Sequence, residues 1–188
     1  MSPEEVGARL AELFPGATVS PSGGGAYARM TVDVEPGEWA DAARRVRDDL
    51  ACDFFDWLSA VDELEAGYSV VAHVWSTTGR HGVLLRTRIG VGNPSLDSIV
   101  DVYPGAAWHE RETHEMFGIG FPGPLESLLL PPEFEGHPLR KSFVLASRVA
   151  KPWPGAKEPG ESHDAATPKR QAIRPPGVPA PGEWGPAA

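Results

Sequence analysis

One short segment of this 188-residue chain concentrates side chains that could act as acids, bases or metal ligands. The segment WHERETHEMFGIGF spans residues 108–121 and contains His109, His114 and three glutamates between positions 110 and 115. Carboxylates and imidazoles are the groups that most often transfer protons in enzymes and bind catalytic zinc. The segment therefore indicates either an active site or a charged surface that binds another protein.

Zinc binding is the first chemistry that the two histidines suggest. A zinc-protease helix places two histidines four positions apart so that both face one metal. His109 and His114 are five positions apart, which separates them by about 140° around a helix. Glu110 and His114 do have the four-residue spacing, but catalytic zinc usually takes three protein ligands. A stand-alone metal-dependent hydrolase that uses Glu110 and His114 is therefore kept as the alternative from another functional class.

Acid–base catalysis by paired carboxylates is less well supported than ion pairing. Glu112 and Glu115 would share a helix face, but nothing in the sequence places them in a cleft. Arg111 precedes Glu115 by four positions, the spacing at which opposite charges stabilise a helix. The spacing therefore predicts an ion pair between Arg111 and Glu115.

Docking against another protein accounts for both the charges and the aromatic residues of the segment. Trp108, Arg111, Met116, Phe117 and Phe121 are of residue types that are enriched in the cores of protein interfaces. Charges beside such a patch need partners, because a buried charge without a partner is strongly destabilising. We therefore predict that this segment forms a helix that lies against another subunit.

Composition narrows the classes of partner and cofactor. A net charge of −9 disfavours a nucleic-acid-binding protein, which must neutralise phosphates. The single cysteine, Cys52, cannot supply a structural zinc site, an iron–sulfur cluster or a disulfide framework. The glycine-containing segments 22–26 and 90–95 lack the residues of phosphate-binding and dinucleotide-binding loops. We therefore expect no metal, no cofactor and no nucleic acid on this chain.

No targeting or membrane-spanning segment is apparent from the sequence. The first residues are acidic and amphipathic, and they lack the basic and apolar regions of a signal peptide. The longest apolar candidate, YSVVAHVW, falls well short of the ~18 residues that cross a bilayer. We therefore expect a cytosolic protein, or one that is held at a membrane only by other proteins.

Periodicity and capping signals predict an α+β fold, with a small mixed or antiparallel sheet of about four strands packed against helices. Ser2, Pro3 and Glu5 form the signature of a helix start, and Pro15-Gly16 ends that helix. The remaining predicted elements are strands at 26–34, 54–62, 68–76 and 83–91, a helix at 36–50, a short helix from Ser95, and a helix that ends at Phe117 before Gly118.

The chain divides into three predicted regions. Residues 1–120 form the α+β domain, and residues 121–150 form an extended, irregular but ordered arm that docks on a partner. Residues 151–188 hold 9 of the 20 prolines and show no hydrophobic period, which predicts an extended or disordered tail. Trp153 and Trp184 would anchor this tail on a partner.

Two linked motifs resemble the signature of a known protein family. WHERETHEMFGIGF is followed by LLLPPEFEGHPLRKSF at residues 128–143. Together they resemble the 30 kDa subunit family of bacterial NADH-quinone oxidoreductase, which is respiratory complex I. The segments DFFDWLSAVDE and NPSLDSIVDVYPGAAW are similar to the same family, so the resemblance covers about residues 50–143.

The chain departs from the family pattern at three places. The family has tyrosine and aspartate where this chain has His114 and Glu115. A histidine and two arginines of the family are missing between Phe121 and Leu128, and the family's Asp-Tyr-Pro is replaced at residues 142–144. The missing arginines imply lost contacts with neighbouring subunits, since arginine binds carboxylates through two parallel hydrogen bonds.

The resemblance implies a non-catalytic subunit in the peripheral arm of a proton-translocating NADH:quinone oxidoreductase. Its partners would be the subunit that forms the quinone cavity and the iron–sulfur subunits, and those partners would hold the flavin mononucleotide (FMN), the iron–sulfur clusters and the quinone. The complex would hold the chain as a peripheral protein on the cytoplasmic side of the inner or plasma membrane. The interface residues that the resemblance implies are Trp108, Glu110, Arg111, Glu112, Met116, Phe117, Gly136, His137, Pro138, Leu139, Arg140 and Lys141.

Two further alternatives concern whether the chain belongs to a different complex or to none. The equivalent subunit of a membrane-bound nickel–iron hydrogenase resembles the same family, and retention of the full EGHPLRK segment favours complex I over it. A free regulatory adaptor that binds partners through the tail is the other alternative.

Overall fold

The computed structural model describes residues 1–144, and the chain in this range has the predicted α+β fold. The end of the predicted arm at residue 150 and the predicted tail at 151–188 lie outside the described residues. The helices are α1 (Pro3–Leu13), α2 (Trp39–Asp49) and α3 (Ala106–Phe117), and the strands are β1 (Thr18–Pro21), β2 (Met30–Asp33), β3 (Phe54–Asp62), β4 (Tyr68–Ser76) and β5 (His81–Ile89).

The five strands form one mixed sheet in the order β1-β2-β5-β4-β3. β2 and β5 run parallel, and all other neighbours run antiparallel. The sequence predicted about four strands, and the strand that it missed is β1. This strand has only four residues and ends in Pro21, so it offers no full alternating pattern, and its proline is typical of an edge position.

One face of the sheet carries the hydrophobic core. Val70, Ala72 and Val74 of β4 are fully buried, whereas the residues between them are half-buried. Leu10 of α1 and Trp39 of α2 pack into the same core, each with no exposed surface. The apolar residues of these helices recur every three or four positions, so one side of each helix faces the sheet.

The helix start and the long strands agree with the sequence prediction. Ser2 Oγ accepts the N–H of Glu5 at 3.3 Å, and the Glu5 carboxylate accepts the N–H of Ser2 at 2.7 Å. This reciprocal pair is the predicted capping box. β3 and β4 have the predicted bounds, and β5 begins two residues earlier than predicted.

The predicted strand at 26–34 is shorter in the structure. Gly25–Tyr27 forms a 3₁₀ turn, so the strand is limited to Met30–Asp33. Helix α2 is likewise preceded by a 3₁₀ turn at Pro36–Glu38, inside the predicted helix 36–50.

The short helix predicted from Ser95 is absent from the described structure. Ser95 instead forms an isolated β-bridge with Gly120, and the N–H of Leu96 donates to the Gly120 carbonyl at 2.9 Å. The N–H of Ile99 donates to the Glu110 side chain at 2.8 Å. Partners that lie far along the chain thus satisfy backbone groups that a local helix would otherwise pair.

Candidate docking site

Helix α3 presents the WHERETHEMF motif and ends where the sequence predicted. Gly118 adopts a left-handed conformation with φ of 72°, and its N–H donates to the His114 carbonyl at 2.7 Å. A β-carbon at Gly118 would collide with the side chains of His137 and Arg140. Glycine is therefore required here both by the backbone conformation and by the close approach of the arm.

Glu110 is directed into the protein, and its side chain is 3% exposed. Its two carboxylate oxygens accept the N–H of Ile99 and the hydroxyl of Ser98, both at 2.8 Å. Burial raises the pKa of Glu110, and these two hydrogen bonds only partly oppose that effect. The side chain therefore connects α3 to the irregular segment that precedes it.

Glu115 binds consecutive backbone groups of the second motif. Its carboxylate accepts the N–H groups of Leu128 and Leu129 at 2.8 Å and that of Leu130 at 3.4 Å. Burial raises the pKa of this carboxyl, but the three backbone donors and the nearby charge of Arg111 together outweigh burial and lower it. Glu115 thus fixes the start of the second motif on α3.

The predicted ion pair between Arg111 and Glu115 is wrong. Within residues 1–144 no salt bridge joins these side chains. The Arg111 guanidinium donates instead to the carbonyls of Glu126 and Ser127, at 2.8 and 3.0 Å. Each of the two side chains binds the backbone of the 126–130 segment, because this irregular segment has polar groups that no regular structure pairs.

The EGHPLRK segment caps the C-terminal end of α3. His137 Nδ1–H donates to the Glu115 carbonyl at 2.8 Å, and Arg140 Nε–H donates to the Phe117 carbonyl at 2.6 Å. Between them, the N–H of Leu139 donates to the Met116 carbonyl at 3.1 Å. The last carbonyls of a helix have no partner inside the helix, and a cationic side chain there also interacts favourably with the helix dipole.

Lys141 anchors the end of this segment on the sheet. Its N–H donates to Asp62 at the end of β3, at 2.8 Å. The other oxygen of Asp62 accepts the N–H of Leu64. The hydrogen bond from Lys141 and then that from Leu64 lower the pKa of Asp62. The two motifs that the sequence linked only by resemblance therefore fold onto each other within one chain.

The two histidines of the first motif bind different backbone groups. His109 Nδ1 lies 3.2 Å from the carbonyl of Leu58 on β3, and its ring packs edge-on against Phe55. His114 Nδ1 lies 2.9 Å from the Ile119 carbonyl. Among the described residues, no group of three or more histidine, cysteine or acidic side chains is placed to hold a metal.

The surface around α3 exposes large apolar side chains. Trp108 is 64% exposed beneath the Arg111 guanidinium, which lies 5.7 Å from its ring. Leu129 and Leu139, from the second motif, are also more than half exposed. We refer to Trp108, Arg111, Glu112, Leu129 and Leu139 as the docking surface. Beside it, a cleft of about 520 Å³ is lined by residues of α3 and of the 122–126 segment.

The other predicted interface residues occupy different environments. Phe117 is buried, Met116 and Pro138 are half-buried, and Gly136 and Lys141 are exposed. Gly136 has φ of 98°, where the chain turns above Phe143. Sequence reasoning missed Leu129, although the apolar run LLL before two prolines was a signal that could have indicated it.

No helix within residues 1–144 is both long enough and apolar enough to cross a membrane.

The family model described as "Respiratory-chain NADH dehydrogenase, 30 Kd subunit" matches residues 32–149. A relative from Roseiflexus castenholzii, named as a subunit of NADH-quinone oxidoreductase, is 42% identical over 124 residues, which are 63% of this chain and 71% of that protein. The relative of the same name from Salinispora tropica is 38% identical over 138 residues, which are 69% of this chain and 56% of that protein.

Two solved structures share the fold. A chain of the membrane-bound sulfane sulfur reductase, an archaeal respiratory membrane complex, superposes with a TM-score of 0.65 at 23% identity and covers 86% of this chain and 98% of that one. The trypsin-resistant fragment of Nqo5 superposes with a TM-score of 0.56 at 20% identity and covers 68% of this chain and 100% of that one. The fold, the two interlocked motifs and the family match over most of the described residues lead to one conclusion: the chain belongs to the 30 kDa subunit family of respiratory-chain NADH dehydrogenase.

Proposed function

We propose that the protein is a peripheral-arm subunit of a proton-translocating NADH:quinone oxidoreductase that docks through α3 and the EGHPLRK segment. Its partners are the quinone-cavity subunit and the iron–sulfur subunits. The proposal rests on one difference among the side chains of the two motifs: some are bound within the chain and others are exposed. Glu110, Glu115 and His137 bind backbone or side-chain groups of their own chain, whereas Trp108 and Leu139 are left exposed.

We further propose that this chain supplies no catalytic residue and no cofactor ligand. A general base must come within hydrogen-bond reach of a substrate, but Glu110 and Glu115 are buried, at 3% and 8% exposed, and both hold backbone groups of their own chain. In the proposed complex, FMN, the iron–sulfur clusters and quinone are bound by the partner subunits. The geometry of Glu110 and His114 gives no support to a zinc hydrolase, because these side chains are directed to separate partners.

The proposal places the protein on the cytoplasmic side of the membrane and holds it there through the complex. The exposed apolar side chains of the docking surface support attachment to protein subunits. Large aromatic residues beside arginine are typical of the energetic centres of protein interfaces, and Trp108 and Arg111 form such a pair.

The test is an affinity pull-down of the tagged protein from solubilised membranes, with the co-purified subunits identified by mass spectrometry. We expect the quinone-cavity and iron–sulfur subunits with the wild type, and much weaker recovery with Trp108→Ser or Leu139→Asp. Val61→Ser is the matched control, because Val61 is an equally exposed apolar residue on β3, 52% exposed, and it should leave recovery unchanged.

Three outcomes would contradict the proposal. Recovery of a nickel–iron subunit would assign the protein to a hydrogenase. Recovery of the protein alone from the soluble fraction would favour a stand-alone role. Normal assembly of the Trp108 variant with loss of NADH oxidation would indicate chemistry in α3.

A further inference from the structure

The cleft beside the docking surface has walls that are formed partly by apolar side chains. It has a volume of about 520 Å³ and is lined by three parts of the chain: residues 98–101, the first half of α3 and residues 122–126. Its apolar lining residues, none of which is fully buried, are Val100, Ala107, Pro122, Pro124 and Leu125. Ligand pockets have volumes of about 300–1,000 Å³, so this cleft has room for a long side chain of another protein.

Two carboxylates of the cleft lining are available to a partner. Asp101 and Glu126 come from different lining segments, and both residues are exposed. Within residues 1–144 neither of them forms a salt bridge. Charges that face each other across a protein interface are complementary, so the two carboxylates favour a cationic group of the partner.

The other two charged side chains of the lining are already bound within the chain. Glu110 accepts the N–H of Ile99 and the hydroxyl of Ser98. Arg111 donates through Nε and Nη2 to the backbone carbonyls of residues 126 and 127. In the part of the chain that the structure describes, the two exposed carboxylates of the cleft are therefore left without a cationic partner.

The cleft is continuous with the docking surface through Arg111. This side chain lines the cleft, and its guanidinium lies 5.7 Å from the ring of Trp108, which is 64% exposed. A partner that covers Trp108 therefore also reaches the cleft. Such a partner excludes water from the cleft, and charge pairs are stronger where water is excluded.

We propose that the cleft receives an arginine or lysine side chain of a partner subunit. This inference rests on the proposed function, in which α3 docks on other subunits. The methylene groups of the incoming side chain pack against Val100, Ala107 and Leu125, and its charged end pairs with Asp101 and Glu126. An acidic or apolar side chain would leave the two carboxylates without a partner, which is costly once the interface excludes water.

Site-specific photo-crosslinking of the full 188-residue chain in the membranes of its host identifies the occupant of the cleft. One variant carries p-benzoylphenylalanine in place of Pro124, an exposed residue of the cleft wall. A second variant carries it in place of Leu139, on the docking surface. We expect both variants to cross-link to a partner subunit, and the peptide that is joined to position 124 to contain an arginine or lysine beside the site of attachment.

The two positions separate the failure of this inference from the failure of the proposed function. A cross-link at position 139 without one at position 124 would overturn the inference and leave the proposed function standing. No cross-link at either position would overturn both. A peptide without a basic residue, a peptide from a second copy of the chain, or a peptide from residues 145–188 of the same chain would also overturn the inference.

Charge reversal tests the pairing itself. Asp101→Lys should lower the recovery of partner subunits in the pull-down at least about tenfold, because like charges that face each other at an interface are strongly unfavourable. Its melting temperature should match the wild type, since Asp101 is exposed. Replacement of the cross-linked arginine or lysine of the partner by glutamate should restore the recovery.

Asp49→Lys is the matched control for this charge reversal. Asp49 is an exposed aspartate of α2 that forms no salt bridge within residues 1–144, so its replacement should leave the recovery unchanged. Equal recovery with both lysine variants, or no restoration by the glutamate variant of the partner, would overturn the proposal.

Discussion

Replacement of Glu115 by glutamine tests whether one carboxylate holds the second motif to α3. Its oxygens accept the N–H groups of Leu128 and Leu129 at 2.8 Å each. Glutamine keeps one carbonyl oxygen but presents an NH₂ group to the other N–H, so one hydrogen bond and the charge are lost. A hydrogen bond to a charged group contributes about 1.5–3 kcal/mol. We therefore expect the 128–130 segment to open more easily by about 2 kcal/mol, or about thirtyfold in its opening equilibrium.

Native-state hydrogen exchange measures this opening residue by residue. In Glu115→Gln, the amides of Leu128 and Leu129 should exchange about thirtyfold faster at pH 7, whereas the amide of Val70, in the core strand β4, should exchange at the wild-type rate. Glu112→Gln is the matched control, because Glu112 is half-buried and its side chain forms no hydrogen bond within residues 1–144. It should leave all of these rates unchanged.

The pH dependence gives a second, independent readout. The pKa of Glu115 in the folded protein lies below its ordinary value of 4.5, because the opposing effect of burial is outweighed by the backbone donors together with the charge of Arg111. A carboxyl of this kind stabilises the fold above its unfolded pKa, and that stability is lost as the pH falls through the folded pKa. Protection of Leu128 should therefore fall below pH 4.5 in the wild type and stay constant in Glu115→Gln. Equal exchange in both proteins at pH 7 would refute the reasoning, since another group would then hold the segment.

Three further predictions concern stability. Glu110→Gln can keep both hydrogen bonds and removes the buried charge. The urea concentration at the midpoint of unfolding at pH 7 should therefore stay the same or rise. Glu110→Ala leaves the N–H of Ile99 without its acceptor and should lower the unfolding free energy by about 1–3 kcal/mol; an equal loss in both variants would show that the charge itself is needed. Gly118→Ala should lower the melting temperature, because φ is 72° and the arm leaves no room, and an unchanged value would contradict that geometry. Removal of residues 151–188 should leave the melting temperature unchanged, since that segment shows no core pattern, and a fall of several degrees would show that it packs on the domain.

Local signals in the sequence determined the regular elements of the fold. The capping residues Ser2 and Glu5 and the hydrophobic period of α1 depend only on neighbours within a few turns. Buried residues alternate with more exposed ones from Leu58 to Asp62 of β3 and from Val70 to Ser76 of β4, and a short connection joins the two strands. Their antiparallel pairing therefore also depends on residues that are close in the sequence. The two motifs were sufficient to indicate the family, because a family signature is a property of the sequence.

The partners of the ionisable side chains were decided only by tertiary structure. The spacing of Arg111 and Glu115 predicted an ion pair on the helix, but both side chains bind the backbone of the 126–130 segment. That segment is irregular, so its N–H and C=O groups have no regular partners and must be satisfied by side chains or by water. Such a requirement can override a helix ion pair that contributes only about 0.2–0.5 kcal/mol.

The same physical reason explains the helix that does not form after Ser95 and the capping of α3 by its own arm. In each case a backbone group is paired with a residue more than ten positions away, such as Ile99 with Glu110 and Phe117 with Arg140. Helix period and turn signals carry no information about contacts at that distance. The sequence by itself therefore determined the three helices, four of the five strands and the family of the chain, and only the folded chain decided that the charged residues bind their own backbone while Trp108 and Leu139 are left exposed.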